Sequence, residues 1–218
     1  TWYKFVSTEG QVNYNKQVNM TGDSIAASFS AINAVDFKKI TLMNLINSAY
    51  GGSTLANRTD GLAVTYNPWS FVTRSYVGAT NIIDITNTDT LFVWAGVHDN
   101  AADIPLGAID SKDIETIAGA INVGVANYLT RKPTLNIVFM TPTNNPYREA
   151  TPNGLGLKLS DYSNHILAVC ARLSIRCVNM LTGANINESN KVVVLPDQLH
   201  PINEWHTNIG LKTVIRNI

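Results

Sequence analysis

"QVNMTGDSIAASFSAINAV" (residues 17–35) changes its hydrophobic rhythm partway along. QVNMT (17–21) suits a short buried strand, while SIAASFSAINAV (24–35) suits a helix. Gly22-Asp23-Ser24 is then the turn at the carboxyl end of the strand, with Ser24 opening the helix. A strand feeding directly into a helix through a glycine turn is the start of an α/β alternation. The same stretch puts a serine where a nucleophile is placed in such folds, at the carboxyl end of a strand.

The rest of the chain repeats the alternation. TLMNLINSA (41–49) reads as the next strand region, and DTLFVWAGV (89–97) as a fully buried strand. From Asp110 a helix is expected, because Ile114, Ile117, Ile121, Val125 and Tyr128 recur at three- and four-residue steps; Asp110 or Ser111 would cap it. TLNIVFM (134–140) is another buried strand, followed by the loop TPTNNPYREATPNG. Tyr162, Ile166, Val169 and Leu173 form one face of a helix capped by Ser160. IRCVNM (175–180) and KVVVL (191–195) read as short strands, and a final helix starts near Asn203. Continuous apolar strands separated by helices imply a parallel sheet covered on both faces, an α/β sandwich. The organisation expected is an irregular lead-in over 1–17 and one domain over 18–218.

Composition narrows the function classes. With 218 residues and 45% apolar content the chain can bury one sizeable core. Lys+Arg and Asp+Glu balance at 16 each, so no overall field draws in nucleic acid, and no run is long enough to span a membrane. Neither a nucleic-acid partner nor a membrane partner is expected. Cys170 and Cys177 read as small buried apolar residues rather than a disulfide framework, and the four His residues are not spaced as a zinc site with them. No metal or cofactor is expected. Charged residues are only 15% of the chain while Asn occupies 25 positions, a polar but uncharged surface that suits an extracellular or virion-surface setting. The chain begins at Thr1 rather than Met and is read as processed or as a piece of something longer.

A nucleophilic serine needs a base, an orienter for the base, and donors for the oxyanion. PDQLHP (196–201) carries Asp197 three residues before His200, so one turn of chain can join carboxylate and imidazole and leave Nε2 for Ser24. NSAYGGST (47–54) is a glycine turn after a strand, where the Gly52 N–H is open to a substrate oxygen. AGVHDN (95–100) adds a polar element at the end of the central strand. Asp23 reads as structural, bonding backbone around the turn. His165 falls on the solvated face of its helix, and His206 packs at the start of the last one. Trp69, Tyr147 and Trp205 lie in or near loops, where they could line a sugar platform or simply pack. The sequons at Asn19, Asn57 and Asn187 are as many as an Asn- and Thr-rich chain gives by chance.

Gly22-Asp23-Ser24, Gly51-Gly52, Gly96-x-x-Asp99 and Asp197-x-x-His200, in that order, resemble the SGNH/GDSL hydrolases across nearly the whole chain. DQLHPINEWH is also similar to that family's closing pattern. The resemblance implies a flavodoxin-like three-layer α/β fold and ester hydrolysis by a Ser-His-Asp triad. Ser24 would be the nucleophile, His200 the base and Asp197 the orienter, with the Ser24 and Gly52 backbone as oxyanion donors. His98 stands where the family usually has an Asn that supplies a third donor; Asn100 is an alternative. The expected substrate is an acylated carbohydrate or other small ester carrying a small acyl group, acetyl above all. A domain of this type would suit a phage tail spike or fibre, with homo-oligomerisation in that setting. The competing readings are a non-catalytic glycan-binding module on the same fold and a lipase or thioesterase.

Overall fold

The computed structural model describes residues 16–57 and 68–217, so most of the expected lead-in lies outside the described residues. Among the described residues five strands form one sheet: β1 Gln17–Gly22, β2 Asn44–Asn47, β3 Thr90–Trp94, β4 Asn136–Met140 and β5 Arg176–Val178. Their order is β2-β1-β3-β4-β5 and every neighbouring pair is parallel. The chain moves outward on one side of β1 and then crosses to the other, so the topological switch lies between β1 and β3. Open α/β sheets leave a crevice at the carboxyl ends of the strands at such a point.

Strand alternation builds the two cores. Leu91 and Val93 of β3, with Ile137 and Phe139 of β4, face one cluster that includes Ile117, Ile121, Tyr128, Ile166 and Val169. Phe92 and Trp94, with Val138 and Met140, face the other, together with Val18, Met20, Phe29, Phe37 and Val214. Successive side chains point to opposite faces, so a continuously apolar strand is needed to fill both layers. The first layer is supplied by α3 Ile117–Arg131 and α5 Leu159–Arg172, the second by α1 Ser24–Thr41 and the C-terminal helical stretch. That stretch runs from α8 Asn203–Trp205 through a π-helical turn, His206–Gly210, into α9 Leu211–Arg216. The smaller helices are α2 Val97–Ala101, α4 Pro146–Ala150, α6 Met180–Gly183 and α7 Lys191–Val194. The fold is the three-layer α/β sandwich expected from the strand pattern. Among the described residues no helix is long and apolar enough to cross a membrane.

Several local expectations are corrected. The first helix runs on to Thr41 and stops where Leu42 adopts φ 63°, its N–H bonded to Lys38 O at 2.9 Å. The following strand is therefore only Asn44–Asn47. The strand in 89–97 ends at Trp94, because Val97 already begins α2, and Met180 opens α6 rather than extending β5. The 110–131 helix starts at Ile117, capped by Thr116, whose Oγ1 accepts the Gly119 N–H at 3.2 Å; Asp110 and Ser111 lie in the preceding loop. Ser160 sits inside the first turn of α5, where Asp161 accepts the Lys158 N–H at 2.7 Å.

KVVVL is a helix, not a strand. The Asn187 carbonyl takes the N–H groups of Asn190 and Lys191, and Lys191 pairs with Glu188 at 2.6 Å, so the chain is already turning. Val192 and Val193 stay 70% exposed, which removes the burial that would draw a β-branched run into a sheet. Trp205 is buried with its Nε1–H on Ala184 O at 2.7 Å, so it lines no surface. His165 is half-buried rather than solvated, and burial lowers its pKa. Cys170 and Cys177 are both free thiols, Cys170 fully buried and Cys177 partly.

Gly22 sets how closely β1 and β3 meet. Its φ is 143°, and a Cβ there would lie 1.8 Å from the Trp94 carbonyl oxygen. That carbonyl accepts the Asp23 N–H at 3.2 Å, so the strands close together at the switch point. Gly22→Ala is expected to cost about 3 kcal/mol or more of folding free energy, from backbone strain plus the clash. Urea unfolding of the variant beside the wild type measures it; a loss below about 1 kcal/mol would show that the turn relaxes freely.

Candidate active site

Ser24 is the first residue of α1 and stands at the β1 side of the switch. Asp23 caps the helix, its Oδ1 accepting the Ile25 N–H at 2.9 Å, an arrangement worth about 1 kcal/mol in typical helices. The Ser24 backbone N–H, in the opening turn of an 18-residue helix, has no protein acceptor among the described residues. The field of the helix makes that position favourable for negative charge.

His200 reaches Ser24 from the far end of the chain. Its Nε2 is 2.7 Å from Ser24 Oγ, and its Nδ1 is 2.6 Å from Asp197 Oδ2. A carboxylate can only accept, so Nδ1 carries the hydrogen and Nε2 offers its lone pair to the serine hydroxyl. The Asp197 carboxylate also accepts the His200 N–H at 2.7 Å and the Leu199 N–H at 2.9 Å. His200 and Asp197 are thus fixed to each other within a single four-residue turn. Gln198 at its centre has φ 66°, and Asn145 Nδ2 donates to the Gln198 carbonyl at 2.9 Å, tying the turn to the loop after β4. Burial pushes Asp197 up, but the His200 ring, the His200 and Leu199 amides and the His200 charge outweigh it and hold its pKa at about 2. Both side chains stay open to solvent, His200 at 38% and Asp197 at 54% exposure.

The glycine turn runs beside this pair of contacts. Ser48 N–H bonds to Met20 O at 2.8 Å and Tyr50 N–H to Gly22 O at 2.9 Å, prolonging the β1–β2 pairing toward Ser24. A Cβ on Gly51 would lie 3.9 Å from Ser24 Cβ, which places the turn against the serine. Gly52 has φ 80°, and no protein acceptor takes its N–H among the described residues. Behind the turn, the buried Arg74 donates to Ser48 O, and to Thr21 Oγ1 at 3.1 Å.

His98 lies half-buried in the first turn of α2, at the corner that follows β3. Asp23 locks this corner to the Ser24 turn, through its N–H on Trp94 O and through its carboxylate, which the Val97 amide also faces. Asn100 turns away: it is buried, with Nδ2 directed at Leu157 O and its carbonyl taking Asn153 Nδ2. It is not placed to replace His98. His206 is buried between Phe29 and Trp205, at ring distances of 6.4 and 5.3 Å. Burial first, and then the His200 charge, lower its pKa to about 4, which keeps it a neutral core ring.

Asp99 has a larger part than its sequence position suggests. Fully buried, it accepts the Leu55 N–H at 2.9 Å and the Ala56 N–H at 3.1 Å, pinning the segment that follows Gly52. Its bonds reach back more than forty residues, and nothing local in the sequence marks them. Burial raises the pKa of Asp99 to about 7; burial, with the Asp99 charge adding, raises Asp23 to about 7 as well. Both groups bind protons more tightly folded than unfolded. Their stabilising contribution is complete below the ordinary value of 3.8 and is lost as pH rises through about 7. Asp197 acts the other way, contributing above 3.8 and losing its contribution as pH falls toward about 2. Asp99→Asn retains an oxygen for Leu55 and Ala56 but carries no charge. It is expected to flatten the fall in Tm between about pH 5 and about pH 8 seen by calorimetry. A fall as steep as in the wild type would contradict a buried, titrating Asp99.

No protein-family model matches the chain, and no curated protein matches it. Solved structures do. A protein from Lactobacillus plantarum is 24% identical with a TM-score of 0.72, over 94% of this chain and 96% of that one. A protein described as a GDSL-like lipase from Bacteroides ovatus is 19% identical with a TM-score of 0.62, over 93% and 99%. An acetyl xylan esterase is 14% identical with a TM-score of 0.61, over 93% and 99%. At these identities the likeness is one of fold, and it extends over nearly the full length of both chains: this is the α/β sandwich on which GDSL-like lipases and an acetyl xylan esterase are built.

Proposed function

We propose that the chain is a serine ester hydrolase of SGNH type that removes a small acyl group, acetyl above all, from a carbohydrate. The observation that carries the hydrolase reading is the line of contacts from Ser24 Oγ through His200 to Asp197, 2.7 and then 2.6 Å, at the switch point of the sheet. In the reaction, Ser24 Oγ attacks the ester carbonyl carbon while His200 Nε2 takes its proton. Asp197 holds the imidazole tautomer and stabilises the cation formed. The carbonyl oxygen, now negative, is received by the Ser24 and Gly52 N–H groups, with the His98 side chain as third donor. His200 returns the proton to the departing alcohol, leaving an acyl-serine. Water, deprotonated by His200, attacks that ester and releases the acid and the free serine.

The acetyl and carbohydrate parts draw on different support. His200 and Asp197 stay open to solvent, which suits a small acyl group better than a long chain enclosed by apolar walls. The exposed Tyr50, next in the chain to the Gly51 that lies against Ser24, and the acetyl xylan esterase among the structural neighbours point toward sugars. The sparsely charged, Asn-rich composition extends the proposal to an extracellular or virion-surface setting.

Ser24→Ala is expected to abolish hydrolysis of acetyl esters and labelling by a fluorophosphonate, read by intact-protein mass. Hydrolysis at the wild-type rate by the variant would sink the enzyme reading and favour a binding module on this fold. His98→Ala is expected to lower kcat by about 10²-fold or more, as loss of an oxyanion donor does elsewhere. Steady-state kinetics on an acetyl ester measure it, and a change under about three-fold would remove His98 from that role.

A further inference from the structure

Resting on the reading of Ser24 as a nucleophile for sugar esters, we propose that Tyr50, backed by Trp69, is the surface on which the sugar ring of the substrate lies. Tyr50 immediately precedes the Gly51-Gly52 turn. Its N–H is held by Gly22 O at 2.9 Å and its carbonyl by the Ser53 N–H at 3.0 Å, so its backbone is fixed against the Ser24 turn. Its ring stacks on Trp69 with centroids 4.0 Å apart and planes 7° from parallel. The Arg74 guanidinium lies 5.7 Å from the Trp69 centroid and donates to the Ser48 carbonyl two residues before Tyr50. Tyr50 is nonetheless 46% exposed.

Packing alone does not account for this combination. The aromatic residues of the two cores, such as Phe29, Phe92, Trp94 and Tyr128, are sealed from solvent, whereas Tyr50 is oriented by a ring stack and left open. An aromatic face held flat in advance pays little ordering entropy when a ligand covers it. A pyranose presents a face of C–H groups that can cover such a ring, while its hydroxyls point outward to polar groups. Asn47, three residues before Tyr50 in the chain, is an exposed polar side chain whose Oδ1 accepts the Ala49 N–H at 3.0 Å. The residue joining Tyr50 to Gly52 lies against the nucleophile, a Cβ there falling 3.9 Å from Ser24 Cβ, so a sugar ring laid on Tyr50 would carry its O-acetyl substituent toward Ser24.

The test compares kcat/KM on a panel of mono-O-acetylated methyl pyranosides with that on ethyl acetate, which has no ring, and on phenyl acetate. In Tyr50→Ala the pyranoside-to-ethyl-acetate ratio is expected to fall about ten-fold, chiefly through KM, with Tyr50→Phe and Tyr50→Trp within about three-fold of wild type. If the wild type hydrolyses no pyranoside better than ethyl acetate, the carbohydrate reading falls and this inference with it. If it does, but Tyr50→Ala leaves the ratio unchanged or lowers both esters alike, only the inference falls. Loss confined to phenyl acetate would assign the ring to an aromatic alcohol and also overturn it.

Discussion

The arrangement around Ser24 depends on two carboxylates taken out of water. Asp23 caps α1, closes on the Trp94 carbonyl and meets the Val97 amide; Asp99 holds Leu55 and Ala56. Between them they join the β1–α1 turn, the β3–α2 corner and the segment after the glycine turn. A buried carboxyl without such N–H partners would be strongly destabilising, and with them it fixes backbone to within hydrogen-bond tolerance. The N–H groups proposed to receive the oxyanion, those of Ser24 and Gly52, lie on the first of these pieces and on the turn that leads into the third, so the two buried acids hold the backbone on either side of them.

Much of this was legible in the sequence because it is local. Strand, glycine turn and helix succeed one another within 17–35, and Asp197 and His200 are three residues apart, so each fragment could be read in isolation. Their convergence could not be derived from spacing: 176 residues separate Ser24 from His200, and it was the order of several short motifs that connected them. What stayed hidden is what is made by pairs distant in sequence and unremarkable in type. Asp99 with Leu55, Arg74 with Ser48, and Tyr50 with Trp69 carry no periodicity; Arg74 lies in a three-residue 3-10 turn, Thr73–Ser75, and Trp69 in the turn before it.

The misread elements fail for physical reasons of the same kind. KVVVL has the composition of a strand, but composition reports fitness for a half-buried pleat, and two of its valines face water. The helix start at Ile117 was placed too early because Ile114 keeps the apolar step while its backbone is still in a turn. In both cases side-chain pattern and backbone hydrogen bonding diverge, and the backbone decides.

The four-residue turn from Asp197 to His200 has an implication for how activity can be altered. Because Asp197 and His200 are carried on one short piece of chain, displacing that piece moves both together. The imidazole would keep its tautomer and its partner while losing register with Ser24. Its position is fixed by contacts that include Asn145 on Gln198 and the Ile202 N–H on Val194 O at 3.0 Å. Substitutions at those anchors, remote from any reacting atom, act on alignment and leave the proton chemistry of the dyad intact. The proposed catalytic groups thus sit on two separate pieces of chain, Ser24 on one and Asp197 with His200 on the other, and the seam between the pieces is where their alignment is set.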